Sequence, residues 1–128
     1  EVGFAISGAK FTGEYAGDYA GLSDSSAGDV NGDGYDDILI GAQFVDNGGT
    51  NAGAVYLLYG GANVTGNIDL SSANAKFTGE NMDDYAGQSV SSAGDVNGDG
   101  KYDILVGAYL EDTGGTDAGA AYLILSQF

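Results

Sequence analysis

Apolar residues along this chain fall in short runs, separated by clusters of Gly, Asn and Asp. Runs of roughly four to eight residues bounded in this way are the signature of strands, and no segment carries the 3.6-residue period of an amphipathic helix. The pattern predicts strands near Ala9–Gly13, Gly21–Ala27, Asp37–Ala42 and Gly53–Tyr59, and again near Ala75–Gly79, Gly87–Ala93, Asp103–Ala108 and Gly119–Leu125. The third and fourth of each set, DILIGA with GAVYLLY and DILVGA with GAAYLIL, are apolar nearly throughout and read as strands buried on both faces. Paired glycines in QFVDNGGTNA and YLEDTGGTDA mark the turns that join them.

The two sets are copies of one unit. AKFTGE at 9–14 returns at 75–80 and SSAGDVNGDG at 25–34 returns at 91–100, a period of 66 residues in which the register never slips. Repetition at this scale marks a repeat architecture in which each unit buries its neighbour.

Composition narrows the chemistry. Nineteen acids face only three lysines, Lys10, Lys76 and Lys101, for a net charge of −16. Such a surface repels a phosphate backbone, so nucleic acid is excluded as a partner and cations are the natural one. No apolar stretch reaches the roughly 20 residues that span a bilayer, so membrane insertion is not expected. The chain has no His and no Cys, which leaves a catalytic mechanism without its commonest bases and nucleophiles; the chain is not read as an enzyme. Asp46 with Asp112 could form a glycosidase-like carboxylate pair, but acidic turn residues are the commoner explanation. The glycines fit no phosphate-binding loop, because no helix follows them.

The acids are concentrated in two loops. DVNGDGYDD places Asp29, Asn31, Asp33 and Asp37 at loop positions one, three, five and nine, and DVNGDGKYD places Asp95, Asn97, Asp99 and Asp103 likewise. A chain curling around a hard cation turns every second side chain inward, and the carbonyls of Tyr35 and Lys101 at position seven supply one more oxygen. Gly34 and Gly100 stand at position six, where the sharp turn is costly for any residue with a Cβ. All-oxygen donors with flexible geometry favour calcium, giving two Ca²⁺ sites per chain. An EF-hand would need flanking helices and a glutamate at position twelve, where this chain has Ile40 and Val106.

This combination resembles the FG-GAP repeat of integrin α-subunit propellers and of many bacterial secreted proteins. The residues that carry the resemblance are Gly21, Gly28 through Gly34, Asp37 and Gly41-Ala42 in one copy, and Gly87, Gly94 through Gly100, Asp103 and Gly107-Ala108 in the other. Ala20 and Ala86 replace the Phe of the family name, and Gln43 and Tyr109 replace its Pro. The resemblance implies an all-β chain of two four-stranded antiparallel β-propeller blades, part of a larger ring or assembly, working outside the cell. It divides the chain into an amino-terminal strand (1–13), one blade (14–79) and a second blade (80–128) that lacks its outermost strand. The strand at 75–79 completes the first blade, and the strand within 4–13 has no blade of its own chain to complete.

Two functions fit. In the first, the amino-terminal strand of one copy completes the second blade of another, building a homo-oligomeric ring or a filament stabilised by calcium. In the second, the chain is part of a longer adhesion propeller that binds a glycan or protein through loop residues drawn from Tyr15, Tyr19, Phe44, Met82, Tyr85 and Tyr109, at least half of which are expected to pack between blades. Asn63-Val64-Thr65 forms a glycosylation sequon in the linker.

Overall fold

The computed structural model describes residues 3–4 and 8–128; Glu1, Val2 and Ala5–Ser7 of the expected amino-terminal strand segment lie outside the described residues. The elements are β1 (Ala9–Thr12), β2 (Ser23–Gly28), β3 (Asp37–Ala42), β4 (Ala54–Leu58), β5 (Gly66–Asp69), a 3-10 turn at Leu70–Ser72, β6 (Ala75–Thr78), β7 (Ser89–Gly94), β8 (Asp103–Ala108) and β9 (Ala120–Ile124). The fold is all-β, its larger sheets antiparallel. Among the described residues no helix is long and apolar enough to cross a membrane.

The strands form a four-stranded sheet in the order β2-β3-β4-β6, a three-stranded sheet β7-β8-β9, and a two-stranded parallel ladder β1-β5. The described residues thus supply four strands to the first sheet and three to the second. The registers repeat: Ile40 stands opposite Tyr56 in the first sheet as Val106 stands opposite Tyr122 in the second.

The two sheets stack face to face. Strand alternation sends Leu39, Val55 and Leu57 from one face of the first sheet against Ile104 and Val106 of the second, with Phe77, Tyr122 and Ile124 at the margin. The opposite face of the first sheet, carrying Ile40, Tyr56 and Leu58, is covered by Phe11 of β1, Ile68 of β5 and Leu70. On the second sheet, Leu105 and Leu123 point the other way and lie exposed. One sheet is thus covered on both faces and the other on one.

The strand β5 was not legible in the sequence. GNID is short and polar, and only Ile68 turns toward the core. It pairs in parallel with β1, Phe11 opposite Ile68, so β1 has a strand neighbour within its own chain.

Candidate metal centres

Each acidic loop joins the first two strands of a sheet. The turn is tight because Gly34 and Gly100 take φ of 91° and 88°, a region that side chains bearing a Cβ rarely adopt. Asp29 Oδ1 accepts from the amides of Gly32 (2.7 Å) and Asp33 (3.1 Å), and its Oδ2 from Gly34 (2.8 Å). Asn31 Oδ1 accepts from Asp33 N–H, and Asp33 Oδ1 accepts from Tyr35 N–H. The second loop repeats the set: Asp95 accepts from Gly98, Asp99 and Gly100, Asn97 from Asp99, and Asp99 from Lys101. The backbone thereby holds Asp29, Asn31 and Asp33, and Asp95, Asn97 and Asp99, around each turn.

Asp37 and Asp103 play a different part. Both are buried. Asp37 Oδ2 accepts from Val30 N–H and its Oδ1 from Gly60 N–H, each at 2.8 Å. Asp103 receives Val96 and Ser126 in the same way, at 2.9 Å. The ninth residue of the loop thus ties the loop to the chain leaving the third strand of its sheet, a bracing role the spacing alone does not reveal.

Among the described residues no group of three or more carboxylates stands ready to hold a metal. The donor chemistry nonetheless fits a hard cation. A carboxylate offers about four lone-pair sites, so the three amides on Asp29 and the two on Asp37 leave acceptor capacity on each. The Nδ2 amide of Asn31 donates to Asp33 Oδ2 at 3.1 Å. The Gly34 amide holds the Asp29 carboxyl below the usual carboxylate range; partial burial opposes it, and the Gly32 and Asp33 amides and the Lys101 ammonium add to it. The loop therefore presents an ionised carboxylate at ordinary pH. Lys101 itself donates through Nζ to the Phe128 carbonyl at 2.6 Å.

The candidate surface residues separate into two groups. Tyr19, Phe44, Tyr85 and Tyr109 form a continuous row, with successive ring centroids 5.4, 5.5 and 5.9 Å apart. Tyr19 and Tyr109, the ends of the row, are exposed, while Phe44 and Tyr85 are half-buried. Tyr15 and Met82 are exposed without joining it. Asp46 and Asp112 have turn duties: Asp46 Oδ1 accepts from Asn51 N–H and Asp112 Oδ1 from Asp117 N–H, where Asn51 and Asp117 adopt positive φ.

Two stacked antiparallel sheets, each with the same acidic turn between its first two strands, define a β-repeat protein. The chain belongs to the FG-GAP repeat family, whose model matches residues 21–58 and 86–124. Integrin alpha pat-2 of Caenorhabditis briggsae is 35% identical over 89 residues, covering 70% of this chain. Human integrin alpha-6 is 38% identical over 87 residues, covering 67% of this chain, and integrin alpha-PS2 of Drosophila melanogaster is 36% identical over 110 residues, covering 77%. The chain spans about 7% of the length of each of these relatives.

Proposed function

We propose that this chain is a pair of calcium-stabilised β-propeller blades that works outside the cell as an assembly module without catalytic activity, joining copies of itself by strand complementation into a ring or filament. The observation that carries this reading is a complementary pair of edges. Among the described residues strand β9 has no neighbour beyond β8, whereas its counterpart β4 is paired with β6, an Ala-Lys-Phe-Thr strand. Strand β1 has the same Ala-Lys-Phe-Thr sequence and, among the described residues, pairs only with β5. Open edges of this kind recruit strands. Because β1 and β9 are different surfaces, the contact is head to tail and either closes into a ring or propagates.

Calcium would be held in one loop by Asp29, Asn31, Asp33, the Tyr35 carbonyl and Asp37, and in the other by Asp95, Asn97, Asp99, the Lys101 carbonyl and Asp103. Bound there, it neutralises carboxylates that repel one another by roughly 4 kcal/mol per pair at about 4 Å and an effective dielectric near 20. Light scattering after size exclusion tests the reading: calcium should support a mass of several chains that falls on chelation, and a monomer under both conditions contradicts it.

The aromatic row favours a second reading, in which the chain contributes a ligand-binding face to an adhesion propeller of a longer protein. Four rings shared between two repeats offer a rigid, amphipathic surface for a glycan or a protein. Similarity to integrin α subunits supports this role, and binding to a glycan array that Tyr109→Ala abolishes would establish it.

A further inference from the structure

The first repeat contains a socket for a lysine. Lys76 of β6 pairs across the strand with Tyr56 of β4. Its ammonium lies 5.1 Å from the centroid of the Tyr56 ring, 3.1 Å from Glu14 Oε2 and 2.7 Å from Asn47 Oδ1. Burial alone would lower the Lys76 pKa, but the Tyr56 hydroxyl and the Glu14 carboxylate outweigh it and the ammonium is held above its usual value. Asp18, buried close by, completes the acidic lining.

The second repeat rebuilds the lining without the lysine. Glu80, Asp84 and Tyr122 stand where the first repeat has Glu14, Asp18 and Tyr56. Glu111, where the first repeat has Val45, adds a further buried carboxylate. Burial first, and then Glu80, Glu111 and Asp84, raise the Tyr122 phenol, and among the described residues none of these acids is in a salt bridge. Glu80 and Tyr122 also line an apolar cavity of about 230 Å³ beside Phe77 and Ile124. Tyr56 is closed over by its strand, whereas Tyr122 is only half-buried.

We propose that the Glu80, Asp84 and Tyr122 cluster is a receptor for Lys10 of a second copy of this chain, delivered when that copy's β1 pairs with β9. The proposal rests on the self-association reading and supplies its side-chain specificity. Three observations select the occupant. The corresponding Glu14, Asp18 and Tyr56 one repeat earlier, with Asn47 where the second repeat has Thr113, surround a lysine at the second position of an Ala-Lys-Phe-Thr strand. Repeating the register of β4 and β6 on β9 sets Lys10 opposite Tyr122 and Thr12 opposite Ala120. Finally, of the chain's three lysines, Lys76 is in the first socket, Lys101 donates to Phe128, and Lys10 is exposed. Phe11 stays on the first sheet of its own chain throughout, so β1 needs only its open edge to reach the neighbour.

The test uses the full chain in excess calcium with two synthetic peptides, residues 8–14 and the same peptide carrying Lys10→Met, with binding measured by calorimetry. The native peptide should bind roughly tenfold more tightly than its variant, in keeping with the loss of a charge-assisted contact. On a chain carrying Glu80→Gln, at an exposed position that the fold tolerates, the two peptides should bind alike. Equal binding of both peptides to the unaltered chain overturns the lysine socket while leaving strand addition intact. Lysine-dependent binding to a chain that stays monomeric keeps the socket and overturns self-association. Failure of both peptides to bind or to dissociate an assembled chain overturns both.

Discussion

The ring of Tyr102, from the second acidic loop, lies directly on Gly28, at the end of β2 in the first sheet. A Cβ at Gly28 would stand 1.8 Å from Tyr102 Cδ2, and the residue's φ is 69°. Gly94, its counterpart one repeat later, has φ of 74° and open space around it. Alanine at Gly94 meets only backbone strain, about 1–2 kcal/mol, whereas alanine at Gly28 must also displace the Tyr102 ring. In chemical denaturation, Gly28→Ala should cost at least about 2 kcal/mol more than Gly94→Ala. Equal losses would show that the sheets do not depend on this approach.

A second internal control lies in the leucines. Leu57 is fully buried between the sheets, while Leu123, the same residue of the repeat, is 49% exposed. Leu57→Ala should cost about 2–5 kcal/mol through the cavity it leaves. Leu123→Ala should change the stability of a single chain by no more than about 0.5 kcal/mol. If Leu123 is covered in an assembly, its substitution should instead raise the concentration at which copies associate, measured by sedimentation.

Calcium should add stability site by site. At 100 times its dissociation constant, one site contributes about 2.7 kcal/mol. Asp29→Ala and Asp95→Ala should each remove one site, halving the calorimetric stoichiometry and lowering the melting temperature in calcium. In chelator, Asp29→Ala has a smaller effect, limited to the amide bonds from Gly32, Asp33 and Gly34.

Those bonds also set a pH dependence. The Asp29 pKa is lowered from 3.8 in the folded chain. Its contribution is therefore fully present above the unfolded value of about 3.9 and is lost as pH falls through the lower folded value. Denaturation in chelator, followed from neutral pH into this acid range, should show a decline that Asp29→Asn makes shallower. An unchanged slope would remove Asp29 from the cause.

Much of this is legible in the amino-acid sequence. The central strands were predicted to within a residue or two because DILIGA and AVYLL are buried on nearly every side chain, and burial writes itself as continuous apolar runs. The acidic loops were legible because alternate oxygen donors and a position-six glycine are local properties. What was missed depends on long-range company. GNID has no strand signal until Ile68 meets Phe11 of β1. Asp37 reads as a ligand by spacing, yet its brace to Gly60 lies 23 residues away. Lys76 is one of two identical lysines, and only the pairing of β6 with β4 shows that its socket is repeated with the lysine left out.

The most direct measurement is a cysteine trap across the proposed junction. In the first sheet Thr78 stands opposite Ala54; the same register places Thr12 of one copy opposite Ala120 of another, a spacing a disulfide can span. The chain has no cysteine of its own, so a Thr12→Cys, Ala120→Cys variant oxidised in calcium should give a ladder or closed ring of linked chains, lost when calcium is chelated beforehand. Chains that remain unlinked in calcium, while a Thr78→Cys, Ala54→Cys variant closes its bond within one chain, would contradict strand exchange between copies.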